Sequence, residues 1–130
     1  MGYEVKIIIG NASIDPDGGD AHYFSTISTF DLCKVDLKAS CYMKDNANII
    51  LMENGIIKKG IPIYLYEGDN KITEDRYGDR LYAIPPDVLL EELKEKRDKD
   101  GYRRYPPAIA LIESISEFWG EEFQVVLYGH

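Results

Sequence analysis

Cysteine and histidine are scarce in this chain, with two of each among 130 residues, and tryptophan occurs once. Cys33 and Cys41 are spaced neither as a redox pair nor as a zinc knuckle, which needs close pairs and further ligands. Free thiols are expected, with a disulfide between neighbouring segments as the alternative. His130 lies at the chain end, where mobility makes a poor general base, and His22 beside Asp20 reads as a surface histidine. The chain has no phosphate-cradling Walker loop, no Gly-x-Ser-x-Gly elbow, no His-Glu-x-x-His helix and no dinucleotide fingerprint. No catalytic residue, cofactor or metal is therefore assigned. No apolar run approaches the ~18 residues of a membrane span, and the first residues, Met1-Gly2-Tyr3-Glu4-Val5-Lys6, show no signal-peptide pattern, so the expected address is the cytoplasm.

Positive charge is also in short supply. The net charge is −8, from 23 acidic against 15 basic residues. Residues 1–60 hold 8 acids and 6 bases (−2), and residues 61–130 hold 15 acids and 9 bases (−6). Long nucleic acids bind basic surfaces that displace counterions, so they are excluded as partners of the whole protein, and a protein with a basic surface fits better.

What the chain does have is periodic pattern. Pro106-Pro107 suits a first helical turn, Gly120 suits a helix stop, and Ala108, Leu111, Ile112, Ile115, Phe118 and Trp119 recur at spacings of three and four as one buried face. Phe123 to Tyr128 then reads as a strand whose run Val125-Val126-Leu127 suits an inner position. A second helix starts at Pro85-Pro86-Asp87, buries Val88, Leu89 and Leu93, and stops at Gly101. The short link, residues 100–105, predicts a helical hairpin.

Val5 to Ile9 reads as a first strand closed by Gly10. Tyr23 to Leu37 reads as a long strand with a bulge near residues 29–31 and an apolar face on the odd positions Tyr23, Ile27, Cys33, Val35 and Leu37. Asn54-Gly55 predicts a tight hairpin between residues 48–53 and 56–59. Ile61 to Tyr66 is a further strand, Glu67 to Asn70 a turn, Lys71 to Arg80 an exposed charged segment, and Leu81 to Ile84 a short strand. The chain is thus one α+β domain, 1–130: a mostly antiparallel sheet, a two-helix hairpin packed on one face, and a C-terminal strand in the sheet. An exposed edge strand would be covered by a homodimer.

Three constellations could carry chemistry. The loop Asp15-Pro16-Asp17-Gly18-Gly19-Asp20 is acidic, but the calcium loop that starts with such carboxylates needs glycine sixth and glutamate twelfth, where Asp20 and Thr26 stand. A metal-dependent hydrolase on Asp15, Asp17, Asp20 and His22 is the weakest reading. Ten tyrosines, in segments such as Arg76-Tyr77-Gly78 and Tyr102-Arg103-Arg104-Tyr105, offer stiff contact area with hydrogen-bonding tips. Tyr77, Tyr102, Arg103, Arg104 and Tyr128 fall at predicted element ends that would converge at one rim, where rings could stack on a base and guanidinium groups bind phosphate of a small nucleotide. Alternatively, these tyrosines are half-buried and the arginines pair with surplus acids. Finally, Glu113, Glu117, Glu121 and Glu122 form a negative surface at the end of the last helix. It suits a basic partner, although solubility alone accounts for such charges.

Tyr77-Gly78-Asp79 with Leu81, then Tyr102-Arg103-Arg104, Trp119 and Val126-Leu127-Tyr128-Gly129, resemble small uncharacterised proteins of bacteriophages and mobile elements over less than half the chain. The resemblance implies a bacterial host cytoplasm and a role such as inhibiting a host defence component. The leading expectation is a non-enzymatic acidic protein that blocks a nucleic-acid-binding surface of a protein partner. The alternative is a binder of a nucleotide-type ligand.

Overall fold

The structure is a computed structural model, and it describes residues 4–13, 22–33, 50–53, 56–59, 61–119 and 123–130. Its elements are β1 (Val5–Ser13), β2 (His22–Cys33), β3 (Ile50–Glu53), β4 (Ile56–Lys59), β5 (Ile61–Glu67), β6 (Asn70–Ile72), β7 (Tyr82–Ile84), α1 (Pro86–Asp100), α2 (Tyr105–Trp119) and β8 (Gln124–Gly129). The fold is α+β, with a mostly antiparallel six-stranded sheet in the order β2-β1-β8-β7-β5-β6. β3 and β4 pair antiparallel as a separate hairpin, as expected, and its Asn54-Gly55 turn lies outside the described residues.

One pairing is parallel. His22 and Tyr23 of β2 align with Ile63 and Tyr64 of β5, closing β2, β1, β8, β7 and β5 into a ring. Strand alternation then sorts side chains into two cores. Ile8, Phe24, Ile63, Leu81, Ala83, Val126 and Tyr128 pack inside the ring. Val5, Ile7, Ile9, Tyr82, Ile84 and Val125 face outward onto Leu89 and Leu93 of α1 and Ala108, Ile109 and Ile112 of α2. β8 lies between β1 and β7, and Val125 and Val126 are fully buried on opposite faces, which accounts for the continuous apolar run.

The helical hairpin follows its end signals. Pro85 is the extended N-cap of α1 and Pro86 follows it, where a missing N–H breaks no helical bond. Gly101 ends α1 with φ 66°, its amide donating to the Arg97 carbonyl at 3.2 Å. α2 begins at Tyr105, one residue ahead of the proline pair.

Three expectations need correction. Gly10 does not close β1; the strand runs on to Ser13 because Gly10 sits at a bulge where β1 passes very close to Ser25 of β2. The apolar odd face expected of β2 is inverted at its start. Phe24 and Leu32 are buried while Tyr23 and Ile27 are exposed, and register shifts opposite Ile9/Gly10 and Val5/Lys6 interrupt the alternation beyond Thr26. Phe118 does not join the buried stripe of α2; no core residue of the sheet covers it and it is 82% exposed. Residues 34–37, Gly120 and the side chain of Trp119 lie outside the described residues.

No helix among the described residues is long and apolar enough to cross a membrane.

Candidate functional site

Strand register brings the start of β1, the end of β2 and the end of β8 to one rim, since Val5 pairs with both Cys33 and Gly129. The segment between β6 and β7 folds over this rim. Its neck is closed by the Leu81 amide donating to the Thr73 carbonyl at 2.9 Å and by a bridge between Glu74 and Arg80. Asp75 organises the rest. One carboxylate oxygen accepts from the Tyr77 amide at 2.9 Å and the Asp79 amide at 3.0 Å, and the other accepts from the Gly129 amide at 3.1 Å. The Arg76 amide returns a hydrogen bond to the Gly129 carbonyl at 3.1 Å. From sequence this segment is marked only as exposed and charged. The missed signal was an Asp with Gly three and Asp four residues on, suited to an Asp-capped turn.

The side chains named for a nucleotide pocket lie about this rim or beside it, but the polar groups of Tyr77, Tyr102 and Arg104 bond within the chain. Tyr77 is exposed and its hydroxyl donates to the His130 main-chain oxygen at 3.1 Å. Tyr128 is buried in the ring core, its ring centroid 6.5 Å from that of His130, with the Lys6 ammonium 4.9 Å above it. The Tyr102 hydroxyl donates to the Leu32 carbonyl at 3.0 Å, and its ring meets Tyr105 edge-on at 5.2 Å. Arg104 donates to the Asp31 main-chain oxygen at 2.8 Å, and Arg103 is exposed. These bonds fasten the start of α2 to the end of β2.

Between the two groups lies His130. Its Nδ1 is 3.9 Å from a Glu4 carboxylate oxygen and its Nε2 is 3.7 Å from one of Asp31, distances at which a protonated imidazole would be attracted to both. Nearby, burial and then the Asp100 carboxylate raise the Tyr105 hydroxyl above its ordinary pKa. Among the described residues, no three His, Cys, Asp or Glu side chains group to hold a metal ion. Asp15, Asp17 and Asp20 lie outside the described residues, and His22 is half-buried at the start of β2.

A second assembly lies on the outside of the ring, where β2 meets β5. Tyr64 and Tyr66 are two apart on β5 and share a face, and the parallel register sets Tyr23 beside Tyr64. The three ring centroids are 5.8 Å (Tyr23–Tyr64), 6.0 Å (Tyr23–Tyr66) and 5.8 Å (Tyr64–Tyr66) apart. Tyr66 is 54% exposed and Tyr23 39%, Tyr64 is buried, and none of the three belongs to the clusters inside the ring or under the helices. The Lys71 ammonium stands 4.2 Å over the Tyr64 ring. The alternation in Ile63-Tyr64-Leu65-Tyr66 was a visible signal for two tyrosines on one face, but Tyr23 joins them only through a non-local pairing.

The acidic residues of α2 are exposed, and Glu113 is paired across the hairpin with Lys94 of α1 at 3.3 Å. Glu117 is exposed, and Glu121 and Glu122 lie outside the described residues.

Comparison with protein-family models, with curated proteins and with solved structures finds no match to the chain.

Proposed function

We propose that this chain is a small acidic interaction protein, without catalytic activity of its own, that binds a protein partner through the tyrosine seam of its ring. The observation that supports this reading is that Tyr23 and Tyr66 are exposed and clustered with Tyr64 outside both cores. Tyrosine is enriched at protein interfaces because it offers a large stiff surface at little entropic cost. A net charge of −8 points to a basic partner. In the bacterial cytoplasm that the bacteriophage resemblance implies, this partner is a host protein that handles nucleic acid, and the chain inhibits it. Glu113, Glu117, Glu121 and Glu122 steer the approach by offering carboxylates where phosphates would otherwise bind.

The nucleotide-pocket reading is the weaker one, because Tyr102 and Arg104 already donate to main-chain oxygens of β2.

The test is capture of partners from a bacterial host lysate with tagged protein, followed by titration of the recovered partner with variants. Tyr23→Ala with Tyr66→Ala should weaken binding about tenfold or more, as expected of contact hot spots. Glu113→Lys with Glu117→Lys should slow association most strongly at low salt. Breaking the exposed Lys94–Glu113 pair costs at most ~1 kcal/mol of stability, so a binding defect there reports on the interface. Unchanged affinity in both variants would sink the proposal.

A further inference from the structure

We infer that the tyrosine seam recognises a cationic side chain of the partner, arginine first, by stacking it on the exposed faces of Tyr66 and Tyr23; this rests on the interaction reading above.

The seam already takes a cation. Lys71, directly across from Tyr66 in the β5–β6 pairing, places its ammonium 4.2 Å from the centroid of Tyr64. The negative face of an aromatic ring attracts a positive charge at such distances. The chain uses the same contact elsewhere, with Lys6 4.9 Å from the Tyr128 centroid and Arg80 5.9 Å from that of Tyr82. At the seam, Lys71 covers Tyr64, the most buried of the three, while Tyr23 and Tyr66 keep exposed surface.

Charge complementarity favours a cation as well. The β5–β6 turn beside Tyr66 carries exposed Glu67 and Asp69. Glu67 draws one of the chain's own guanidinium groups, that of Arg76, to 4.0 Å across an exposed surface. A cation approaching Tyr66 would therefore enter the field of these two exposed carboxylates. Arginine is preferred over lysine because its flat, weakly hydrated guanidinium stacks on a ring and keeps its in-plane donors for a carboxylate. Tyr64 and Tyr66 meet edge to face and Tyr23 is tilted by 40° and 51° to them, with all three centroids about 6 Å apart, too close to admit a cation between the rings, so contact is on their outer faces.

The experiment uses the whole chain and two probes matched in shape, N-acetyl-arginine amide and N-acetyl-citrulline amide, which lacks the charge. Binding is followed by NMR of the tyrosine ring protons at constant ionic strength. Saturable shifts are expected at Tyr66 and Tyr23, with citrulline weaker by about two- to fivefold, the factor a cation–π contact at an exposed site supplies. Tyr66→Leu keeps apolar area and should lose that preference, Tyr66→Phe should keep it, and Lys71→Met should tighten arginine binding by removing a competing like charge. Equal binding of the two probes, or arginine shifts confined to the α2 carboxylates, overturns the inference. Either result leaves the interaction reading to its own test, since partner capture and the Tyr23/Tyr66 alanine variants do not depend on which chemistry the rings recognise.

Discussion

The carboxylate of Asp75 accepts a hydrogen bond from the amide of Gly129 at 3.1 Å, tying the segment between β6 and β7 to the end of β8. Its other oxygen holds the Tyr77 and Asp79 amides. Replacing Asp75 with alanine leaves three donors without that acceptor. A loss of about 2 kcal/mol in urea unfolding is expected, on the scale of hydrogen bonds to a charged group. The Asp75→Asn variant should fall between, since one amide oxygen can still serve the turn while the amide nitrogen cannot accept from Gly129.

Two glycines should respond to alanine for different reasons. At Gly10 an added Cβ would meet the Ser25 carbonyl oxygen at 2.0 Å, a backbone atom that cannot swing away. Gly10→Ala should destabilise by about 3 kcal/mol, the upper part of the range for overpacking, and should loosen the β1–β2 amides in hydrogen exchange. At Gly101 there is open space but φ is 66°, so Gly101→Ala should cost only about 1 kcal/mol of backbone strain.

The link between α2 and β2 rests on Tyr102. Tyr102→Phe removes only the hydroxyl that reaches the Leu32 carbonyl, and a loss of about 1 kcal/mol is expected, with the Tyr102–Tyr105 ring contact retained. If a nucleotide-type ligand used this hydroxyl instead, Tyr102→Phe would alter ligand binding at unchanged stability.

Tyr105 supplies a prediction at alkaline pH. Burial and then Asp100 raise its pKa in the folded chain above the ordinary value of 10.0. The folded state thus holds the proton more tightly than the unfolded state. The associated stability is fully present below pH 10 and is lost as pH climbs from there through the folded pKa. Phenolate absorbance of the wild type minus that of Tyr105→Phe should give a midpoint above 10, and the variant should lose less stability over that range.

Much of the fold was legible because its signals are local. Proline pairs and Gly101 bounded the helices, and the run Val125-Val126-Leu127 announced an inner strand. Closure of the ring was not legible, because it depends on His22 and Tyr23 meeting Ile63 and Tyr64 some forty residues away in parallel register. Bulges obscured the later course of β2, since a single extra residue reverses every side chain after it. Phe118 was misplaced because helical spacing says which residues share a stripe but not which of them a neighbouring element covers. At the candidate site, tyrosine excess was visible, yet the clustered members are Tyr23, Tyr64 and Tyr66, not those beside arginine.

The most direct test of the interaction reading places a photo-crosslinking benzoylphenylalanine at position 66 of the full chain, with a second version at exposed Lys99 at the end of α1 as control, in a bacterial host. The account predicts a covalent adduct from position 66 and not from position 99. The captured protein should carry a basic surface, and its affinity for the chain should fall about tenfold or more on Tyr66→Ala. No adduct at position 66, or one whose partner binds Tyr66→Ala as tightly as wild type, would contradict the claim that the tyrosine seam is the contact surface.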